Sequence, residues 1–142
     1  MKLKKLLMVL LTVAVLFTGL VTTVSAASEA VPYYNQTSKV DTEFYIKGGV
    51  ACVTANYSSA TTLTKATITV TIQRKLWNLF WVSYDIGIPD NVWTETKTSS
   101  SGTFYNTFNI PDTGNYRCNF TIVLEGTGGT DTIEETINYS YN

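Results

Sequence analysis

Residues 66–72 read Ala-Thr-Ile-Thr-Val-Thr-Ile, a strict alternation of apolar and threonine side chains. A period of two places the apolar side chains on one face of a β-strand and the threonines on the other. This stretch therefore predicts a strand that is buried on one face only. Such strands are typical of antiparallel sheets, which pack one face on a core and leave the other in water.

Similar alternation recurs along the chain between clusters of turn-forming residues such as Gly48-Gly49, Ser99–Gly102 and Gly126–Gly129. Threonine makes up 20 of the 116 residues from Ala27 onward, a composition that favours strands over helices. Short strands with turns about every ten residues predict an all-β, antiparallel sandwich of seven or eight strands. The predicted strands cover about residues 38–47, 49–58, 66–72, 80–86, 91–98, 104–110, 116–124 and 131–141.

The first 26 residues have the organisation of a secretory signal peptide. Lys2, Lys4 and Lys5 precede a long apolar run, and small residues end the segment at Ala26. Cleavage after Ala26 or Ala27 would leave one domain, residues 27–142, large enough for its own core. A retained membrane anchor is the alternative. We expect a secreted, extracellular protein, either released or loosely retained at the cell wall.

The charged residues argue against several classes of partner. Without the signal peptide, seven Lys and Arg face eleven Asp and Glu, a net charge of −4. With no basic cluster, nucleic acid and anionic lipid are not expected partners.

The chain has no histidine, which removes the commonest general base and transition-metal ligand. We therefore expect no catalytic residues, no metal and no cofactor.

Cys52 and Cys118 are the only cysteines in the sequence. In an exported chain such a pair favours one disulfide over two separate thiols. The bond would close a loop of 66 residues and stabilise the fold by about 4 kcal/mol in the chain-entropy model. Two reduced, separately buried thiols are the alternative.

The motif Asp112-x-Gly114-x-Tyr116-x-Cys118 resembles the tyrosine corner of immunoglobulin-like domains. The resemblance implies that Cys52 and Cys118 link the two sheets and that the Tyr116 hydroxyl bonds to nearby backbone. Antibody-type domains also place a Trp soon after the first cysteine. Here the next Trp after Cys52 is Trp77, so the sequence indicates an immunoglobulin-like domain and not an antibody-type one.

The chain also resembles small secreted proteins of Gram-positive bacteria that have no known function. The features that carry this resemblance are Pro32-Tyr33-Tyr34-Asn35, residues 66–75, Gly114-x-Tyr116-Arg117 and Gly126-Thr-Gly-Gly129.

Aromatic residues cluster where the third and fourth strands should turn. Trp77, Phe80 and Trp81 lie there, and Trp93 follows soon after. Exposed aromatics provide rigid area for stacking on sugars or contacting proteins, so these four form the candidate binding patch. The alternative is that they fill the open end of the sandwich. We expect at least one of Trp77, Phe80 and Trp81 to be exposed.

The carboxylates do not form a ready catalytic pair in the sequence. Glu134 and Glu135 are adjacent on one strand and point to opposite faces. The other candidates, Asp85 with Asp90 or Asp112 with Asp131, could meet only through the fold. Glycoside hydrolysis needs two carboxylates that face one cleft.

These observations favour a non-enzymatic secreted module that binds a protein or a cell-surface glycan. A small carboxylate-dependent glycan-active enzyme is the alternative, as is a secreted inhibitor or toxin. The sequence indicates no particular oligomeric state.

Overall fold

The structure, a computed structural model, describes residues 34–142. The predicted signal peptide and the first residues after it lie outside this range. The described chain forms eight antiparallel strands and one short 3₁₀ turn. The strands are β1 (Thr37–Lys47), β2 (Val50–Ser59), β3 (Leu63–Leu76), β4 (Phe80–Ser83), β5 (Val92–Lys97), β6 (Ser101–Asn109), β7 (Gly114–Gly126) and β8 (Gly129–Tyr141).

The strands form two sheets, which confirms the predicted all-β sandwich. The smaller sheet has the order β1-β2-β6, and the larger has the order β4-β3-β7-β8. The strand β5 also pairs with β3, so β4 and β5 lie in line along the same edge of that long strand. The three-residue 3₁₀ turn falls far short of the length that a membrane-spanning helix needs, and the described part of the chain has no other helix.

The core lies between the two sheets and is built from alternate residues of each strand. Leu63 is buried out of phase, beyond a register shift at the start of β3. From Ala66 onward in β3 and throughout β7, the buried side chains are those that the period of two predicts. They are Ala66, Ile68, Val70, Ile72, Tyr116, Cys118, Phe120, Ile122 and Leu124. The intervening threonines of β3 face outward, as expected of a sheet with one solvated side.

The face of β2 that contacts the core is not the face that carries Cys52. Ala51, Val53 and Ala55 are fully buried, whereas Cys52 is partly exposed. Cys52 pairs across the outer side of the small sheet with Tyr45 and Thr107. Contact with the Cys52 thiol is the largest of the influences that raise the pKa of Tyr45.

The predicted Cys52–Cys118 disulfide is therefore wrong for this structure, in which both cysteines are free. Cys118 points into the core from β7, and Cys52 points out of the sandwich from β2. Successive side chains of a strand point to opposite faces, so reaching the core would require a one-residue shift of β2. Such a shift would expose the whole buried face of that strand.

The predicted corner motif begins at Asp112, between β6 and β7, and continues into the first residues of β7. The Tyr116 hydroxyl donates a hydrogen bond to the Asp112 carbonyl oxygen at 2.7 Å, and the Tyr116 side chain is fully buried. Burial is the main reason that the pKa of Tyr116 rises to about 12. Gly114 has φ of 154°, and a Cβ there would lie 3.1 Å from the Arg74 Nε. The motif thus fixes the start of β7.

The opposite end of the sandwich is closed by a buried carboxylate. Asp131 is 5% exposed and accepts hydrogen bonds from the backbone N–H groups of Asn35, Gln36 and Thr37 at 2.7–3.1 Å. The buried Gln36 side chain donates to the Leu124 carbonyl at 3.0 Å. These bonds attach the segment before β1 to the β7–β8 hairpin.

Candidate functional site

The β3–β4 hairpin turns through Trp77 and Asn78. Leu76 pairs with Phe80, and the Leu79 N–H donates to the Leu76 carbonyl at 2.9 Å. Both central residues have positive φ, 48° for Trp77 and 58° for Asn78. Two such residues at the centre of a four-residue turn, residues 76–79, form a type I′ turn, which suits the twist of a hairpin. The pairing of Leu76 with Phe80 leaves Leu79 as a third loop residue.

Trp77 is an unfavourable residue for its place in this turn. A left-handed backbone costs an L-residue about 1–2 kcal/mol, and Asn or Gly is usual there. The neighbouring Asn78 follows that preference, whereas a bulky residue at positive φ is an outlier. Strained positions of this kind concentrate at functional sites. The turn therefore holds a tryptophan where the fold alone would favour a small residue.

The side chains around this turn form an exposed apolar surface, which we call the aromatic tip and define as Leu76, Trp77, Leu79 and Phe80. Trp77 is 83% exposed, Leu79 is 71% exposed and Phe80 is 58% exposed. These side chains are thus free of the core and available to a ligand. Large aromatic side chains contribute much contact area at low entropic cost.

Trp93 does not belong to this surface, which corrects its place in the predicted patch. It is 8% exposed and packs edge-on against Phe108 of the opposite sheet, with ring centroids 6.1 Å apart. In β5 it pairs with Val70, whose side chain also faces the core. Because directly paired residues share a face of the sheet, Trp93 also points into the core. For this residue the alternative, that the aromatic side chains fill the sandwich, is correct.

Trp81 is partly buried and lies on the outer face of the five-stranded sheet, opposite Lys75. The guanidinium carbon of Arg117 lies 4.6 Å from the centre of the Trp81 ring, and the Lys75 ammonium lies 5.7 Å from it. Both distances are within the range of cation–π attraction. Two cations from different strands therefore meet over one aromatic ring.

These residues line an open groove of about 520 Å³. This volume falls within the range of small-ligand sites. Asn115 and Arg117 of β7 form part of the lining, with Thr136, Asn138 and Ser140 of β8 beside them. The groove thus crosses four strands of the sheet, and its walls are mainly amides, hydroxyls and cations.

Hydrogen bonds between side chains hold the groove in shape. The Arg117 Nε donates to the Gln73 Oε1 at 2.5 Å. The Asn119 amide donates to Thr71 and Gln73 at 3.3 Å, and the Thr136 hydroxyl donates to Asn119 at 3.0 Å. Because the side chains are oriented in advance, a ligand would lose less free energy in ordering them.

The groove continues into the aromatic tip through Asn115. Its amide donates to the Asn78 Oδ1 in the turn at 3.4 Å, and its own Oδ1 accepts a bond from the Ser140 hydroxyl at 2.7 Å. One ligand could therefore contact the apolar tip and the polar groove together.

The fold does not bring Asp112 to Asp131, or Glu134 and Glu135 to one face. Asp112 precedes β7, while Asp131 pairs near its far end, roughly 30 Å away for ten residues of strand. Glu134 pairs with Thr121 on the outer face and Glu135 with Phe120 on the core side, and Asp85 and Asp90 are exposed in a loop. Within residues 34–142, no three His, Cys, Asp or Glu residues converge as metal ligands would.

Sequence reasoning located the aromatic tip but missed the groove beside it. Lys75, Asn115, Arg117 and Asn138 belong to three different strands, and their pairing depends on register. The sequence feature that could have indicated the groove is the set of alternate polar residues in β7, which marks the outer face of that strand. They are Asn115, Arg117, Asn119 and Thr121.

A scan against protein-family models and a search of curated proteins gave no match. Among solved structures, wild-type OgpA from Akkermansia muciniphila matches with a TM-score of 0.45 and 14% identity, over 80% of this chain and 32% of that one. A second crystal form of the same protein matches with a TM-score of 0.42 and 16% identity, over 80% of this chain and 30% of that one. Catalytically inactive OgpA in complex with an O-glycopeptide substrate (glycodrosocin) matches with a TM-score of 0.45 and 14% identity, over 80% of this chain and 32% of that one. The chain thus spans about a third of those proteins, and the matches carry no information about its activity.

Proposed function

We propose that this domain is a non-enzymatic, secreted binding module that recognises a cell-surface glycan through the aromatic tip and the adjoining groove. The observation that carries the proposal is Trp77, which is 83% exposed and held at a φ of 48°. Neither the core nor the turn gains from a tryptophan there, so a ligand is the best reason for it.

A glycan suits the combination of side chains better than a purely apolar ligand. Sugars present apolar ring faces to aromatic residues and hydroxyls to amides and hydroxyls. The tip supplies Trp77 and Phe80, and the groove supplies Asn115, Asn138 and Ser140. A protein ligand is the second candidate, favoured by the exposure of the aliphatic Leu79 beside the aromatic rings.

The proposal includes an immunoglobulin-like architecture and export. The orders β1-β2-β6 and β4-β3-β7-β8, together with the Tyr116–Asp112 hydrogen bond, support the first part. The signal-like residues 1–26 support the second, as does the resemblance to secreted Gram-positive proteins.

A glycan array probed with the secreted domain tests this function, alongside a pull-down from cell-wall and cell-surface extracts. We expect retention on a defined set of saccharides that Trp77→Ala lowers at least about tenfold, as loss of a binding hot spot would. Tyr105→Ala is the matched control, because Tyr105 is also an exposed aromatic, at 59%, but lies on β6 in the other sheet.

Three results would contradict the proposal. Retention by a protein and by no saccharide would favour the second candidate. Cleavage of a bound glycan would favour the enzymatic alternative. Equal losses from Trp77→Ala and Tyr105→Ala would remove the aromatic tip from the binding site.

A further inference from the structure

We infer that the groove beside Trp81 binds the carboxylate of an acidic sugar, such as a uronic or sialic acid within the glycan. The inference rests on the proposed function and adds the charge class of the ligand. Its basis is the pair of cations, Lys75 and Arg117, that line a polar groove in a domain of negative net charge.

Neither Lys75 nor Arg117 forms an ion pair with a carboxylate of the described residues. In the described part of the chain, ion pairs join Lys39 to Asp41, Lys65 to Glu125, Arg74 to Asp112 and Lys97 to Glu95. Lys75 and Arg117 instead lie over the Trp81 ring. Along the outer face of β8, the nearest carboxylate side chain to Asn138 is that of Glu134, four residues away and roughly 13 Å along the strand. The groove is thus a local region of positive charge.

The orientation of Arg117 suits a planar, bidentate anion. Its Nε is bonded to the Gln73 side chain, and its guanidinium plane is held near the Trp81 ring. Within residues 34–142, its two terminal nitrogens donate no hydrogen bond and lie near no carboxylate. Paired guanidinium nitrogens match the two oxygens of a carboxylate. Gln73 and Trp81 therefore orient the guanidinium and leave its binding edge free.

Partners for sugar hydroxyls surround this positive centre. Asn138 pairs with Arg117 across β7 and β8, is exposed, and forms no side-chain hydrogen bond within the described residues. Ser140 and Thr136 lie on either side of it on the same face of β8. A carboxylate on Arg117 would therefore bring the neighbouring ring hydroxyls of a sugar toward these groups. An acidic peptide would offer the carboxylate but few hydroxyls for these side chains.

Pairs of saccharides that differ only in the carboxylate test the inference. Isothermal titration would compare oligogalacturonate with its carboxyl-reduced counterpart of equal length, and sialyllactose with its own carboxyl-reduced counterpart. A sulfated oligogalactose and an oligo-glutamate peptide complete the series. We expect an acidic member to bind at least about tenfold more tightly than its neutral partner, as a charge-assisted bidentate pair would give.

Substitutions then locate the effect. Arg117→Gln and Lys75→Gln should each remove most of this difference, and Arg117→Lys should restore only part of it because the fork is lost. Lys65→Gln is the matched control, since Lys65 lies on the same face of β3 at its other end. Trp77→Ala should weaken the acidic and neutral saccharides by the same factor.

The outcomes separate the two proposals. Equal affinity for acidic and neutral partners would overturn the acidic subsite and leave the glycan-binding function intact. Binding of the sulfated sugar or the peptide as tight as that of the acidic sugar would overturn it too. Failure of every saccharide to bind would overturn both.

Discussion

The Trp93 ring packs edge-on against Phe108 at a centroid distance of 6.1 Å, and so joins β5 of the large sheet to β6 of the small one. The contact provides the aromatic centre between the sheets that the sequence lacked after Cys52. The three tryptophans therefore have separate roles: Trp93 is buried in the core, Trp81 lies in the groove and Trp77 lies at the tip.

Trp93→Ala should lower the free energy of unfolding by about 3–5 kcal/mol, because it leaves a cavity between the sheets. Trp77→Ala should change it by less than about 0.5 kcal/mol, since an exposed side chain packs against little. Urea unfolding followed by circular dichroism measures both. Similar losses for the two variants would contradict the assignment of Trp93 to the core and Trp77 to the surface.

The double substitution Trp77→Asn with Asn78→Gly should raise the free energy of unfolding by about 1 kcal/mol, because Asn-Gly is the preferred type I′ sequence. Thermal unfolding measures the gain, and the glycan assay should show that binding is lost. Trp77→Val serves as the control and should be no more stable than the original, because a β-branched residue is also strained at positive φ. An unchanged or lower melting temperature for the Asn-Gly variant would show that the Trp77 backbone is not strained.

One thiol should react with a thiol reagent in the folded protein and two after unfolding. Cys52 is partly exposed, whereas burial raises the pKa of the Cys118 thiol and keeps it protonated and unreactive. Titration before and after denaturant counts the thiols, and Cys52→Ser should abolish the native reaction. If neither thiol reacted in denaturant until a reductant was added, the disulfide would be present after all.

Asp131→Asn should destabilise the domain at neutral pH by about 1–3 kcal/mol, because an amide cannot accept all the hydrogen bonds that the carboxylate accepts. Burial raises the pKa of Asp131, but its bonds from Gln36, Thr37 and Asn35 outweigh burial and lower it overall. The stabilisation from its ionised form is thus present above about pH 4 and is lost as the pH falls through the lowered folded pKa.

Thermal unfolding at a series of pH values from neutral to about pH 2 would measure this effect. The original protein should lose stability in acid more steeply than Asp131→Asn. Asp41→Asn is the control, since Asp41 forms only an exposed ion pair with Lys39. Parallel acid profiles for the original and Asp131→Asn would contradict the role of Asp131.

The strands were predictable where polar and apolar residues alternate. From Ala66 to Ile72 in β3 and from Tyr116 to Thr121 in β7, polar side chains alternate with apolar ones, so only one face can be buried. The run Val50–Ala55 in β2 gives a weaker signal because small or apolar residues lie on both faces. Its core face carries Ala51 and Ala55, which pair with the large Phe108 and Phe104 of β6. That fit of small to large side chains depends on a partner strand far along the chain.

The two parts of the candidate site differ in the same way. The aromatic tip is local, so residues 77–81 alone predicted its turn and its aromatic character. The groove requires Lys75 and Arg117 to lie on the same face of strands that pair across a gap of about 40 residues. Hydrophobic periodicity gives the face of each residue but not which residues are neighbours across strands.

The division of one edge of β3 between β4 and β5 also affects how the domain behaves at high concentration. The four residues of β4 and the six of β5 are separated by a loop that contains Pro89. A long, straight edge strand would offer a continuous row of unpaired backbone groups to another chain. Here the row is interrupted after a few residues, so this side of the sheet is a poor template for edge-to-edge aggregation. The protein can thus carry an exposed apolar hairpin beside an edge that discourages strand addition.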